Sequence, residues 1–141
     1  MIAIDTNLLV YAHRAGTPEH LAARRAIERA AGSAVGWGIA FATVAEFLAV
    51  VTHPAHPTPS TATEASRFIE ALTNAGCELW QPGPKFAANL LARAVDLGVS
   101  GARVFDLQIG LTALEHGATE VWTHDAKFVK VPGLKLHDPL Q

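Results

Sequence analysis

Apolar positions along the chain come in two rhythms, short unbroken runs and longer stretches at helical spacing, and the two alternate. Met1 to Asp5 predicts a buried strand that ends in a carboxylate; Thr6 and Asn7 follow, and both suit a helix start. Pro18 and Glu19 open a helix to about Ala31, with Thr17 as its N-cap and Gly32 as its stop. Val35 to Phe41 is a second strand candidate, weakened by Gly36 and Gly38, and Ala42 to Thr52 is an apolar helix. The stretch His53 to Ser60 carries Pro54, Pro57 and Pro59, which cannot sit inside a helix. Thr61 to Ala75 predicts a helix ended by Gly76, Cys77 to Trp80 a third strand, and Pro84 to Leu97 a helix stopped at Gly98. Arg103 to His116 is a further helix, stopped at Gly117, and Glu120 to Thr123 and Leu134 to His137 are a fourth strand and a short fifth. No repeat or linker interrupts the pattern, so residues 1–141 are expected to form a single domain.

Strands that alternate with helices imply βαβ units, hence an α/β fold whose parallel sheet is covered on both faces. Ligands of such sheets bind beyond the carboxyl ends of the strands. Strand one ends in Asp5 and strand four runs into Thr123-His124-Asp125, so two carboxylates are expected at one edge of one sheet.

Two further acids stand out by position. The helix from Ala42 to Thr52 is apolar nearly all round, which predicts burial nearly all round, and Glu46 is its only charge. An unpaired buried carboxylate costs several kcal/mol or takes up a proton, so Glu46 either meets a cation or reaches the surface or an arginine. Asp106 flanks the stripe Val104, Leu107, Leu111 and Leu114, in line with Gly110 and Ala113, whose small size lets that face approach another element. It also lies in the first helical turn, where the dipole favours an anion with no further role. Asp5 can be read as a helix cap, and Asp125 as part of a turn before Lys127 and Phe128. Joint placement favours a different reading. Four converging carboxylates repel one another unless divalent cations lie among them, and hard oxygen ligands with open water positions suit Mg²⁺ or Mn²⁺.

Composition narrows the setting. Half the residues are apolar and 17% are charged, a globular balance. The net charge of −2 does not announce a nucleic-acid partner, yet neutralising four acids by metal would turn it to +2. Met1 to Val10 has no basic region before its apolar run and carries Asp5, so no signal peptide is expected. No uncharged apolar run reaches the roughly 18 residues that span a bilayer. Cys77 is the single cysteine and cannot form an internal disulfide. A cytoplasmic protein without membrane contact is expected.

The motifs Ile4-Asp5-Thr6-Asn7, the Glu46 helix, Val104-Phe105-Asp106-Leu107-Gln108-Ile109-Gly110 and Thr123-His124-Asp125-Ala126-Lys127-Phe128 occur in order. Together they resemble the PIN domain, and the ending Pro132-Gly133-Leu134 with Asp138-Pro139-Leu140 resembles VapC toxins in particular. The resemblance covers essentially the whole chain. It implies a PIN-like three-layer sandwich, with four or five parallel strands between helices. It also implies an acidic pocket for one or two Mg²⁺ or Mn²⁺ ions. Asp5 and Asp106 match acids that ligate metal directly; Glu46 matches the second acid, and Asp125 the fourth, which often acts through water. Thr6 and Thr123 match hydroxyl positions that support the site, beside Asn7. The implied activity is metal-dependent endoribonuclease chemistry by a metal-activated water, leaving 5′ phosphates. The implied setting is a VapBC-type toxin–antitoxin pair, with a homodimeric toxin silenced by a cognate VapB antitoxin. Many relatives carry a second acid two residues after the fourth; here that place is Lys127, which puts in question the grip on metal or phosphate.

Arg14, Arg103, Lys127 and Lys130 lie near the motifs and are candidates for holding phosphates, or are solvated surface charges. His53-x-x-His56 lies in a proline-rich loop with no acid or cysteine partner and is not expected to bind metal. Trp37, Trp80 and Trp122 lie in or beside strands and are expected in the core. A receiver-type phosphoacceptor fits poorly, because strand three is followed by Gln81-Pro82, and Asp5-Thr6-Asn7 excludes an Asp-x-Asp phosphatase. The remaining rival is a non-catalytic PIN-like module that binds RNA or protein.

Overall fold

The computed structural model describes residues 1–141. Five strands form one all-parallel sheet: β1 (Ile2–Ile4), β2 (Trp37–Ala40), β3 (Glu78–Trp80), β4 (Glu120–Trp122) and β5 (Lys135–His137). Six helices connect them: α1 (Thr6–His13), α2 (His20–Ala31), α3 (Phe41–Val51), α4 (Ala62–Asn74), α5 (Phe86–Leu97) and α6 (Arg103–Glu115). The strand order is β3-β2-β1-β4-β5. The chain thus builds outward from β1 to β3, then returns to lay β4 on the other side of β1. This reversal opens a crevice beyond the ends of β1 and β4, where parallel sheets bind ligands.

Alternation along the strands sorts side chains to two faces. Ile2, Ile4, Trp37, Ile39 and Trp122 pack with α1, α2, α3 and α4. Ala3, Ala40, Trp80 and Val121 pack on the other face with Ile109 and Ala113 of α6, and α5 seals α6 through Phe86, Leu107 and Leu111. All three tryptophans are buried, as expected.

Gly38 does not weaken β2. A Cβ there would stand 2.5 Å from the Trp80 ring and 2.8 Å from the Glu78 carbonyl, so its absence is what lets Trp80 lie flat on the sheet. Gly110 plays the same part on α6, where a Cβ would meet Val131 at 3.0 Å. The close approach expected of that helix face is therefore to the segment that follows β4.

Some expectations are corrected. Thr17 does not cap α2; its hydroxyl donates to the Arg14 carbonyl, and Pro18 and Glu19 form a turn before the helix starts at His20. Phe41 opens α3 instead of closing β2. The helix expected to be buried all round is not: only Thr43, Phe47 and Val51 of α3 are buried, while Phe41, Leu48 and Val50 are exposed. Its strongly apolar sequence hid a one-sided packing, because α3 covers the sheet with a single face.

Replacing Gly38 by Ala forces Trp80 off its seat. Overpacking of this kind costs about 1–3 kcal/mol. Chemical denaturation should show the Gly38→Ala chain unfolding at lower denaturant with an unchanged slope; an unchanged midpoint would mean that Trp80 can shift freely.

Candidate functional site

Asp5 follows β1 and is held from three directions. Its amide donates to the Trp122 carbonyl at 3.0 Å, which extends the β1–β4 ladder by one step. Its Oδ1 accepts the Thr6 amide at 2.7 Å, so it does cap α1. Its Oδ2 accepts the Thr123 hydroxyl at 2.7 Å. That hydroxyl in turn accepts the Asp125 amide at 3.0 Å and the Asn7 side-chain amide at 3.3 Å. One donor and two acceptor positions exhaust what a threonine hydroxyl offers. Thr123 is therefore the joint between the ends of β1 and β4. Thr6 supports the site by its amide alone; its buried hydroxyl has no partner.

Asp106 stands in the first turn of α6 and is half-buried. Burial pushes its carboxyl above the usual range, and the charges of Asp125 and Glu46 push it further; the Val129 amide and Arg103 oppose them. Burial likewise raises Asp5 to about 6, against the bonds from Thr123 and Thr6, with Asp106 and Glu46 adding to the rise. Asp106 thus feels Asp125 and Glu46, and Asp5 feels Asp106 and Glu46. The four acids share one electrostatic neighbourhood. Asp125 does form the expected turn, in which its Oδ1 accepts the Lys127 amide at 2.8 Å. Glu46 is exposed, so the burial argument for it fails. Its place beside the cleft comes from its neighbours and not from desolvation.

A cleft of about 910 Å³ opens here, lined by Glu46, Asp106 and Asp125 and also by Arg103, Lys127 and Lys130. Arg14 is not brought to it. Arg14 lies past the far end of α1, where its guanidinium donates to the Val50 carbonyl at the end of α3. His53 and His56 each accept an amide from their own loop, from Ala55 and Thr58.

No three His, Cys, Asp or Glu side chains are drawn into a ready-made ligand set. The donor chemistry nevertheless fits a hard divalent cation. The candidate donors are all carboxylate oxygens, the hard ligand type that Mg²⁺ and Mn²⁺ prefer. Sequence reading missed two contributors. The Val129 amide carries no side-chain signal. The pair His124–Asp138, with Nδ1 2.8 Å from Oδ2, ties the chain end to the β4 loop; an acid before Pro139 was its only trace.

The PIN domain family matches residues 2–134. The chain is 31% identical over 142 residues to the ribonuclease VapC43 of Mycobacterium tuberculosis, covering 99% of this chain and 96% of that one. The chain belongs to the PIN-domain family, among the VapC ribonucleases. Solved PIN folds overlay it closely. VapC20 of M. tuberculosis, a toxin that cleaves the sarcin–ricin loop, matches with a TM-score of 0.70 at 12% identity over 91% of this chain and 92% of that one. VapBC2 of Rickettsia felis, solved on a DNA fragment of its promoter, matches with a TM-score of 0.67 at 20% identity over 97% and 98%. The expected architecture, a parallel sheet of five strands between helices, is the one this PIN domain has.

Asp5 ionises near 6 in the folded PIN domain and near 3.8 unfolded. The unfolded chain therefore releases this proton first, and rising pH favours unfolding. In chelator, stability should fall by on the order of 3 kcal/mol as the pH rises from about 4 to about 7. Denaturant melts across that range should show the fall in the parent and lose most of it in Asp5→Asn; a parent with a flat profile would mean Asp5 is an ordinary surface acid.

Proposed function

We propose that this PIN domain is a Mg²⁺- or Mn²⁺-dependent endoribonuclease, the toxin of a VapBC-type pair, with Asp5, Glu46, Asp106 and Asp125 as its metal-holding acids. One observation carries the reading: four separate segments supply acids near the β1–β4 crevice, where Asp106 and Glu46 act on Asp5 and Asp125 and Glu46 act on Asp106. Clustering like charges there is costly in a chain that has no structural use for it.

Asp5, fixed on both oxygens by Thr6 and Thr123, and Asp106, steadied by the Val129 amide, form the rigid half of the ligand set. Glu46 and Asp125, both exposed, complete it through water or directly. A divalent cation supplies Lewis-acid activation of water and offsets charge on the phosphate. Arg103, Lys127 and Lys130 on the same cleft hold flanking phosphates. Lys127 stands where many relatives carry an acid, which shifts that corner from metal binding toward phosphate binding. Hydrolysis of this kind leaves 5′ phosphates and does not use the RNA 2′-OH.

Partners follow the same reading. A VapB-type antitoxin is supported by the named VapBC2 complex, whose toxin shares this fold. A homodimer is supported by a water-facing apolar stripe on α5, where Leu91 is 70% and Val95 82% exposed. No helix is long and apolar enough to cross a membrane, which is compatible with work in the cytoplasm.

Total RNA incubated with Mg²⁺ or Mn²⁺ should be cut to products with 5′ phosphates, and chelator should stop it. Asp106→Asn should fold and reduce cutting to background. Thr123→Val, which removes the joint but no ligand, should lower activity or metal affinity about 10–100-fold. RNA retention without cutting in the parent would favour the binding-module reading instead.

A further inference from the structure

Beside the acidic cleft lies a second, smaller groove between α3 and α6 with a volume of about 330 Å³, inside the size range of small-ligand pockets. It is lined by Phe41, Ala42, Ala45, Phe105, Gln108 and Glu46. Glu46 and Phe105 also line the acidic cleft, so the two spaces are neighbours that share these side chains. We propose that this groove is a nucleobase subsite, in which an unpaired base next to the scissile phosphate stacks on Phe105 and Phe41. The proposal rests on the ribonuclease reading above and specifies where the substrate lies.

The placement follows from the topology. Phe41 opens α3 directly after the carboxyl end of β2, and Phe105 stands in the first turn of α6 one residue before Asp106. Both rings therefore lie at the sheet edge that carries Asp5. Both are out of phase with their own helix cores. Phe105 precedes the buried Leu107 and Ile109 and is 57% exposed, and Phe41 is 50% exposed although it adjoins the buried Ala40. Two rings left in water beside the acidic cleft form an apolar surface open to a flat ligand.

Chemistry selects the ligand. The groove has no cation, and its one charge is the negative Glu46, so a phosphate is unwelcome there. Arg103, Lys127 and Lys130 offer phosphate contacts in the neighbouring cleft instead. A nucleotide has this division built in, an anionic backbone and a neutral flat base. Aromatic rings stack with any base face, and the Gln108 amide, with one acceptor and one donor group, can read a base edge. Stacking demands a base free of a partner strand, so the groove favours single-stranded or looped RNA.

The test uses a short unstructured RNA of mixed sequence, with the cut position mapped first and each flanking base then replaced by an abasic site. Removing one flanking base should lower kcat/KM in the parent about tenfold, within the range known for base–aromatic stacking. Phe105→Ala should show a similar loss on intact RNA and no added loss on the abasic RNA, and Phe105→Trp should restore the parent rate. Alanine is a better helix former than phenylalanine, so α6 is expected to survive the change. A binding arm separates this proposal from the catalytic one: fluorescence anisotropy of the same labelled RNA on Asp5→Asn, with and without Phe105→Ala, should show weaker binding in the double variant. If the parent cuts no RNA while this binding difference persists, the ribonuclease reading fails and the base subsite stands. Equal binding by the two chains would overturn the subsite. So would an abasic penalty unchanged by Phe105→Ala, or conversion of a dimer to a monomer by that change, which would make the groove a contact between copies.

Discussion

Bringing acids into a partly buried crevice at the ends of β1 and β4 is the constraint on which the site depends. Burial raises the Asp5 and Asp106 carboxyls most, and two like charges add to each, Asp106 and Glu46 on Asp5, Asp125 and Glu46 on Asp106. A chain of this size is stable by only about 5–15 kcal/mol, so a penalty of a few kcal/mol at one crevice is a large fraction of the whole. The compensation is local and polar. Thr6 and Thr123 give Asp5 two hydrogen bonds, and the Val129 backbone and Arg103 lie close enough to Asp106 to lower its carboxyl. These groups offset part of the cost and still leave the Asp5 and Asp106 carboxyls raised above the usual range.

The rest of the architecture keeps that arrangement in register. The Thr123 hydroxyl works only if β1 and β4 are neighbours ending at the same level, and the pairing of Ile4 with Trp122 sets that level. Asp106 reaches the crevice because Gly110 lets α6 lie against Val131, which brings the Val129 amide to the carboxylate. At the chain end, Asp138 binds His124, whose own amide lies 3.4 Å from the Asn7 side chain. Three remote segments therefore converge on the loop that carries Asp125.

Much of this was legible in the sequence. Alternating runs gave the order and type of every element, and the rule for parallel sheets put Asp5 and the Thr123–Asp125 loop at one edge before any contact was known. What was hidden depended on packing direction. Composition alone made α3 look buried all round, because apolar residues do not declare which of them face water; Leu48 and Val50 face outward. Glu46 was thus placed at the site by an argument that fails, while its proximity to Asp5 and Asp106 supports the same position for another reason. Arg14 misled by sequence proximity: eight residues of helix carry it from Asp5 to the far end of α1. Val129 left no trace, since a backbone donor is independent of its side chain.

The four acids are unequal, and the inequality bears on mechanism. Asp5 is buried with both oxygens bonded, whereas Asp125 is exposed and turns on a single amide, and Glu46 projects from an exposed helix face. A site that had all four fixed would carry its full repulsion at all times. Fixing two and leaving two in water lowers that cost, because exposed charges are screened.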